Sequence, residues 1–332
     1  MYFCAVNITA KQIFSTHNES TFNELALAIF KQQAKNCIVY RDYIRYLKID
    51  IFSITNYKQI PFLPINFFKS HAVLSTIDTP EIAFSSSGTT GQVTSKHFVT
   101  DLKIYEQSFN QAFKQFYGKP DDICILALLP SYLEREGSSL IYMIDDLLKQ
   151  SKQSKSGYFL KDLDKLYTTL DELKNTNQKT VLIGVTYALL DFVDQYQIDF
   201  PNLIVMETGG MKGKRKEMVR EELHGVLYAG FGVKNIHSEY GMTELLSQAY
   251  SNGKGIFNAP PWMKILLRDT SDPLSLLQNK QSGGINVIDL ANINSCSFIA
   301  TQDLGKIYSD GSFEILGRFD NADIRGCNLL VQ

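Results

Sequence analysis

The sequence predicts an α/β protein in which mostly parallel sheets are layered with helices and joined to a small antiparallel β subdomain. Almost wholly apolar runs at residues 122–129, 180–185 and 203–206 are typical of strands that are covered on both faces. Helical patterns separate these runs, for instance at residues 214–227. After Gly284, short strand-like runs alternate with turns. Strand–helix alternation followed by a change of pattern therefore predicts this fold class.

Each end of the chain supports this division. Near the N-terminus, Thr21 and Glu24 have capping-box spacing and precede an apolar helical face, so we expect helices within residues 1–56. The last part contains four predicted strands and an Asp310-Gly311 turn signal, with the strands at residues 285–289, 297–301, 306–308 and 312–316. We therefore predict an α/β core over residues 1–283 and a small β subdomain with a hinge-like tail over residues 284–332.

The composition of the chain excludes several classes of function. The chain has 332 residues, 44% hydrophobic residues and a formal charge of −2, which is typical of a soluble globular protein and gives no electrostatic case for nucleic acid. Five scattered cysteines without a Cys-x-x-Cys pair argue against a disulfide framework and a zinc site. The sequence shows no signal peptide and no apolar run of about 18 residues, so we expect no membrane span and a cytoplasmic location.

The strongest local signal is a run of seven Ser, Thr and Gly residues. Glycines let backbone N–H groups approach an anion closely, and hydroxyls donate further hydrogen bonds, so the run suits a polyphosphate cradle. A polar surface loop has the same composition and stays open as an alternative. The P-loop and Gly-x-Gly-x-x-Gly patterns are both absent. The candidate residues are Ser85, Ser86, Ser87, Gly88, Thr89, Thr90 and Gly91.

Two further segments carry candidate chemistry. In the first, a carboxylate suits Mg²⁺, a hydroxyl suits a phosphate and an aromatic ring suits a base; its residues are Glu239, Tyr240, Gly241, Met242, Thr243 and Glu244. A strand-to-helix turn capped by Thr243 is the alternative. In the second, Asp303 and Arg318 would grip a diol such as ribose if they converge. A surface ion pair is the alternative there.

In their order along the chain, these segments resemble the motifs of the adenylate-forming superfamily, which includes acyl-CoA synthetases, luciferases and adenylation domains. The run at residues 85–91 is similar to its phosphate loop, and residues 240–244 match its Tyr-Gly-x-Thr-Glu motif. The resemblance implies that Gly209, Gly210 and Tyr240 seat adenine and that Asp303 and Arg318 seat ribose. It also implies that Thr243 contacts phosphate, that Glu244 holds Mg²⁺, and that ATP is used. Lys96 lies two positions later than the lysine of the family's loop, and the chain ends just after the hinge motif, so we expect the usual C-terminal domain to be absent.

The ending resembles the acyl-protein synthetase (LuxE-type) family in particular, which activates a fatty acid and moves the acyl group to its own cysteine. This implies that Cys327 is an acyl-accepting nucleophile, with an external carrier or reductase as a further partner. An aryl- or acyl-CoA ligase of the phenylacetate type and a non-catalytic nucleotide-binding scaffold are the alternatives. We expect Cys124 and Cys296 to lie in the core, and His237 to have a structural or pocket-lining role.

Overall fold

A computed structural model of the protein describes residues 8–86, 93–131, 136–210, 215–216, 218–277 and 282–318. The helices in chain order are α1 (Ala10–Phe14), α2 (Glu19–Asn36), α3 (Ile38–Tyr46), α4 (Phe67–Ser70), α5 (Leu102–Tyr117), α6 (Ser139–Gln150), α7 (Leu163–Leu173), α8 (Thr186–Gln195) and α9 (Arg220–Phe231). The strands are β1 (Leu63–Pro64), β2 (Ile82–Ser85), β3 (Lys96–Val99), β4 (Cys124–Leu128), β5 (Gly157–Tyr158), β6 (Thr180–Val185), β7 (Ile204–Thr208), β8 (Ile236–Tyr240), β9 (Ala249–Ser251), β10 (Ile256–Asn258), β11 (Met263–Arg268), β12 (Ser282–Asp289), β13 (Phe298–Ile307) and β14 (Phe313–Arg318).

Two compact units divide the chain, and each contains segments distant in sequence. One, here called the parallel unit, comprises residues 81–96 and 101–257. The other, here called the antiparallel unit, comprises residues 1–80, 97–100 and 258–332. The division at residue 283 that the sequence suggests stays a prediction about domains. No helix among the described residues is long and apolar enough to cross a membrane.

The parallel unit is built on a sheet with the strand order β5-β4-β6-β7-β8, all parallel, with β9 added antiparallel to β8. Every residue of β4 and β6 is buried, as the apolar runs predict. Helices link successive strands, because a parallel pair needs a crossover connection. This unit confirms the predicted mostly parallel sheet layered with helices.

Helices α8 and α9 pack closely at Gly230, a residue without a side chain. Gly230 on α9 faces Val193 on α8 so closely that a Cβ atom at position 230 would overlap the valine side chain. Gly225, on the same helix, has no atom within 4 Å of such a Cβ. The first glycine is therefore required by packing, whereas the second is not.

The antiparallel unit contains the sheet β11-β12-β13-β14, with the short β1 added parallel to β13. Burial along β13 mostly alternates between buried and half-buried residues, the pattern of a strand with one covered face. Arg268 is buried at the end of β11. Its guanidinium donates to the carbonyl oxygens of Ile285 (2.6 Å) and Thr301 (2.5 Å) and so joins β11 to β12 and β13.

The N-terminal helices belong to this unit. Gln33 of α2 is buried and donates to the carbonyl oxygens of Asn292 (3.0 Å) and Ile293 (2.9 Å), which fastens the helix to the segment before β13. The helix begins at Glu19 because the Asn18 side chain accepts from the Thr21 N–H at 3.0 Å. The predicted Thr21–Glu24 capping box is therefore wrong, since asparagine is an equally good N-cap and begins the helix earlier.

Two other boundaries differ from the sequence-based expectation. The runs at 297–301 and 306–308 form one strand, β13, because residues between them also pair: Asp303 with Arg318 on β14 and Leu304 with Gly284 on β12. Helix α9 begins at Arg220, after the position that its apolar pattern suggests. The predicted turn at 309–312 is confirmed: Gly311 has a φ of 87°, and the Tyr308 N–H donates to the Ser312 carbonyl at 2.8 Å.

Candidate functional site

The candidate site in the parallel unit lies at the carboxyl edge of its sheet. Strands β7 and β8 are parallel neighbours, with Glu207 paired to Ser238. Gly209 and Gly210 follow β7 directly, and Gly241 follows β8. Because parallel strands end at the same edge, the structure brings together the two segments that the sequence singled out separately, and this edge is where ligands bind in open α/β sheets.

The segment after β7 has a backbone that glycine makes accessible. Gly209 and Gly210 have φ angles of 75° and 62°, and both are exposed. Residues with a Cβ rarely adopt these angles. The consecutive glycines therefore leave the backbone at this sheet edge uncovered by side chains.

The segment after β8 folds into a compact turn. Tyr240 is buried opposite Ala249 of β9, with its ring 6.0 Å from that of Phe257. The Leu245 N–H donates to the Met242 carbonyl at 3.1 Å and closes the turn. Glu244 is only 5% exposed, whereas Gly241, Met242 and Thr243 are half-buried. The turn thus holds the Thr243 hydroxyl and the Glu244 carboxylate in a position that is partly shielded from water.

The side chain of Glu239, the residue before Tyr240, accepts a hydrogen bond within the protein. Its Oε2 accepts a hydrogen bond from the Thr208 hydroxyl at 2.7 Å. Burial raises the pKa of Glu239 to about 7, and the nearby Glu207 charge adds to that rise, against the lowering effect of the Thr208 hydrogen bond. This side chain connects the ends of β7 and β8.

Glu207, on β7, is a second carboxylate at the same edge. Its Oε2 accepts from the Thr186 hydroxyl at 3.2 Å, and its Oε1 lies 3.8 Å from Nε2 of His224. Burial opposes ionisation, but the polar contacts of His224 and Ser238 and the charge of Arg220 outweigh it and lower the pKa of Glu207.

Four polar residues at this edge were not predicted from the sequence, namely Thr186, Glu207, Thr208 and His224. A signal for two of them was present, because Glu207 and Thr208 are polar residues directly after an apolar strand run. Thr186 and His224 come from α8 and α9, and only the packing of those helices beside β7 brings them to it.

The predicted phosphate cradle is described only at its first residues. Ser85 ends β2, and its N–H donates to the Gly137 carbonyl at 2.7 Å. Ser86 exchanges two hydrogen bonds with Ser95: its N–H donates to the Ser95 carbonyl (3.1 Å), and its hydroxyl accepts from the Ser95 N–H (2.9 Å). The remaining predicted residues, Ser87, Gly88, Thr89, Thr90 and Gly91, lie outside the described residues, as does Cys327.

The antiparallel unit places the predicted ribose pair together. Asp303 on β13 is directly opposite Arg318 on β14, and Nε of the arginine lies 3.4 Å from Oδ1 of the aspartate. The aspartate is buried, whereas the arginine side chain is 70% exposed. The Asp303 N–H donates to the Thr301 hydroxyl at 3.1 Å, which fixes the backbone beside the carboxylate.

The remaining candidate residues, His237, Cys124 and Cys296, are wholly or partly shielded from solvent by the surrounding protein. Burial lowers the pKa of His237 to about 4, and its Nδ1 lies 3.3 Å from the Tyr117 hydroxyl, so the ring is neutral near pH 7. Cys124 and Cys296 are buried, as expected. Among the described residues, no group of three or more His, Cys, Asp and Glu side chains converges on a metal site. A single buried carboxylate, Glu244, fits Mg²⁺, which takes few protein ligands and keeps contacts to water and phosphate.

Solved structures similar to this chain are adenylate-forming enzymes. ATP-bound MatB from Rhodopseudomonas palustris is 20% identical with a TM-score of 0.55, over 73% of this chain and 49% of MatB. A 2-hydroxyisobutyryl-CoA ligase in complex with 2-HIB-AMP and CoA is 11% identical with a TM-score of 0.66, over 91% and 70%. A luciferase-like enzyme of the mealworm Zophobas morio is 15% identical with a TM-score of 0.53, over 74% and 59%.

These likenesses show that the chain shares its fold with part of these adenylate-forming enzymes. The aligned part spans about half the length of MatB and of the MatB chimeras that also match. No significant match was found among curated protein sequences. The family model for acyl-protein synthetase, LuxE, matches residues 10–332, nearly the whole sequence. The chain therefore belongs to the acyl-protein synthetase (LuxE) family.

Proposed function

We propose that this protein activates a carboxylic acid with MgATP to form an acyl-adenylate and then passes the acyl group to a thiol. The observation that carries the proposal is the pair of neighbouring turns at one sheet edge, Gly209–Gly210 and Tyr240–Glu244, in a chain that matches the acyl-protein synthetase family. The acid we propose is a fatty acid, and the first thiol is that of Cys327.

In the first step, a carboxylate oxygen of the acid attacks the α-phosphorus of ATP, and the bond from that phosphorus to the pyrophosphate oxygen breaks. Gly209, Gly210 and Tyr240 would seat the adenine, while Asp303 and Arg318 would hold the ribose. Thr243 and the segment 85–91 would donate hydrogen bonds to phosphate oxygens. Mg²⁺ at Glu244 would neutralise phosphate charge when bound, which is the main form of catalysis available to such transfers.

In the second step, a thiolate attacks the acyl carbonyl carbon, and AMP leaves with the electron pair of the broken anhydride bond. A thioester forms that stays reactive toward a further acceptor, an acyl carrier or a reductase. Cys37, Cys124 and Cys296 are buried. Burial raises the pKa of each of these three thiols and so disfavours the nucleophilic thiolate. Among the described cysteines, none is therefore suited to the acceptor role. A cytoplasmic location remains a prediction.

Exchange of labelled pyrophosphate into ATP tests the first step, with a panel of fatty, aryl and short hydroxy acids. We expect exchange that depends on both Mg²⁺ and the acid. An absence of exchange with every acid, in a protein that is folded, would support the non-catalytic scaffold instead. CoA added to the same reactions tests the CoA-ligase alternative, which predicts an acyl-CoA product.

Labelled acid tests the second step. After incubation with ATP, we expect label on the protein that neutral hydroxylamine releases, as it does from a thioester. Cys327→Ser should abolish most of this label and leave pyrophosphate exchange intact, whereas the matched control Cys4→Ser should keep both. Label that persists in Cys327→Ser would show that another group accepts the acyl chain.

A further inference from the structure

Glu207 places a carboxylate beside an apolar strand. Its partner in the β6–β7 ladder is Gly184, and the β6 residues on either side of that glycine, Ile183 and Val185, are buried and apolar. Only 12% of the Glu207 side chain is exposed. Burial of a carboxylate is unfavourable unless other polar groups compensate for it, so stability alone would favour an apolar residue here. Such a departure from the local pattern is expected at functional sites.

Residues of two helices contact the Glu207 carboxylate. Thr186, the first residue of α8, donates its hydroxyl hydrogen to Oε2 at 3.2 Å. His224, one turn after the start of α9, places Nε2 at 3.8 Å from Oε1. Both of these side chains are buried. The carboxylate therefore joins the end of β7 to both α8 and α9.

These contacts lie directly before the segment to which we assign the adenine. The ladder between β7 and β8 extends to the pair formed by Glu207 and Ser238. Gly209 and Gly210 follow two residues later, and among the described residues no atom lies within 4 Å of a Cβ built on Gly210. Side-chain packing therefore does not hold Gly210 in place, and the position of the segment depends on the strand end that precedes it.

Arg220 connects the same cluster to the second adenine segment. It is the first residue of α9, and its positive charge favours the ionised form of Glu207. Its Nη1 donates to the Gly255 carbonyl at 3.2 Å, and its guanidinium lies 5.4 Å from the ring centroid of Phe257. The Phe257 ring is in turn 6.0 Å from the ring of Tyr240. The surroundings of Glu207 thus reach both segments to which we assign the adenine.

We propose that Glu207 is a positioning residue that holds the end of β7 in place through Thr186 and His224. In this way it sets the position of the Gly209–Gly210 segment and the affinity for adenine. The inference rests on the proposed function, because it assumes that this segment binds adenine. Loss of these contacts should weaken binding of the adenosine part of ATP and leave binding of the phosphates unchanged, since the proposed phosphate contacts belong to other segments.

Binding of ATP and of inorganic tripolyphosphate, each measured by calorimetry with Mg²⁺, tests the inference, since the two probes differ by the adenosine. Thr186→Val removes the hydroxyl that holds the carboxylate and keeps the shape of the side chain. The dissociation constant of ATP should rise roughly 2- to 30-fold, the range for residues that act on a site through others. That of tripolyphosphate should not change. Thr186→Ser keeps the hydroxyl and should bind ATP with nearly the wild-type affinity.

Glu207→Gln provides a second test. The amide keeps an acceptor for Thr186 but removes the charge that faces His224, so ATP should again bind more weakly while tripolyphosphate binds normally. The exposed Glu222→Gln on α9 makes the same chemical change away from the cluster and is the matched control. It should bind both probes like the wild-type protein.

Wild-type ATP affinity in Thr186→Val overturns the role of Glu207, and so does an equal loss in Thr186→Val and Thr186→Ser. A parallel loss of ATP and tripolyphosphate binding, with a lower melting temperature, also overturns it, because the contacts would then only stabilise the fold. If Glu207→Gln does not fold, the two Thr186 variants decide. If the wild-type protein does not bind ATP, the proposed function itself fails, and the two failures are thereby told apart.

Discussion

The parallel and antiparallel units hold their candidate site residues in different ways. In the parallel unit, strands such as β6 are buried throughout, and the candidate residues lie in the turns after β7 and β8, apart from Glu239 and Tyr240, which end β8. In the antiparallel unit, Asp303 lies within β13, where burial mostly alternates, and it pairs across the ladder with Arg318. A strand buried on both faces has no solvent-facing position for chemistry, whereas a strand with one covered face does.

The difference has a consequence for substitution. Residues in the turns after β7 and β8 can change chemistry without disturbing the ladder, because ladder hydrogen bonds end before them. A residue inside β13 contributes to both the ladder and the ligand. Substitutions in the turns of the parallel unit should therefore affect activity more than stability. Substitutions inside β13 should affect both.

The largest expected effect is on catalysis at the turn after β8. Glu244→Gln removes the carboxylate charge that we assign to Mg²⁺, so pyrophosphate exchange should fall about a hundredfold or more. The exposed Glu221→Gln is a control with the same chemical change and should exchange normally. If Glu244→Gln folds and exchanges at the wild-type rate, Glu244 does not hold the metal ion.

A packing change in the parallel unit should reduce stability by about 1–3 kcal/mol, the usual range for an overfilled core. Gly230→Ala places a methyl group against Val193, so its free energy of unfolding should fall. Gly225→Ala on the same helix meets no neighbour and should be neutral or stabilising by up to about 1 kcal/mol, because alanine is the better helix former. Denaturant unfolding compares them, and equal effects would contradict the close contact of α8 and α9.

Asp303→Ala tests the antiparallel unit. A ribose left without its acceptor should weaken ATP binding by about 1–3 kcal/mol, roughly 5- to 150-fold in affinity. If Asp303 acts on the ligand, the melting temperature without ATP should change little, and the rise caused by ATP should shrink. A large fall without ligand, with the ATP-induced rise intact, would show that Asp303 serves the β13–β14 ladder instead.

The smallest expected effect concerns pH and His237 on β8. Its pKa is lowered to about 4 in the folded protein by burial, so the unfolded chain binds the proton more tightly. Its contribution to stability is present above about pH 6.5 and is lost as pH falls toward 4; because the ring is partly exposed, we expect about 2 kcal/mol at most. His237→Gln should remove this part of the acid sensitivity. Identical pH profiles for the two proteins would show that His237 has an ordinary pKa.

Local patterns in the sequence determined the fold class and most strands. The apolar runs at β4, β6 and β7 are readable because a strand covered on both faces has little choice of composition. The turn at Gly311 is readable because its backbone angle favours glycine. The turn segments of the candidate site are readable for the same local reason: glycine, hydroxyl and carboxylate side chains are concentrated at residues 240–244 and at 209–210.

Only the tertiary structure decided which distant residues share an environment. Thr208 and Glu239 are 31 positions apart and form a hydrogen bond because β7 and β8 are parallel neighbours. The single strand β13 was predicted as two runs, because the pairing that holds its middle comes from the neighbouring strands β12 and β14. The partners of buried polar groups are set by strand order and helix packing, and these depend on interactions between segments that no local pattern records.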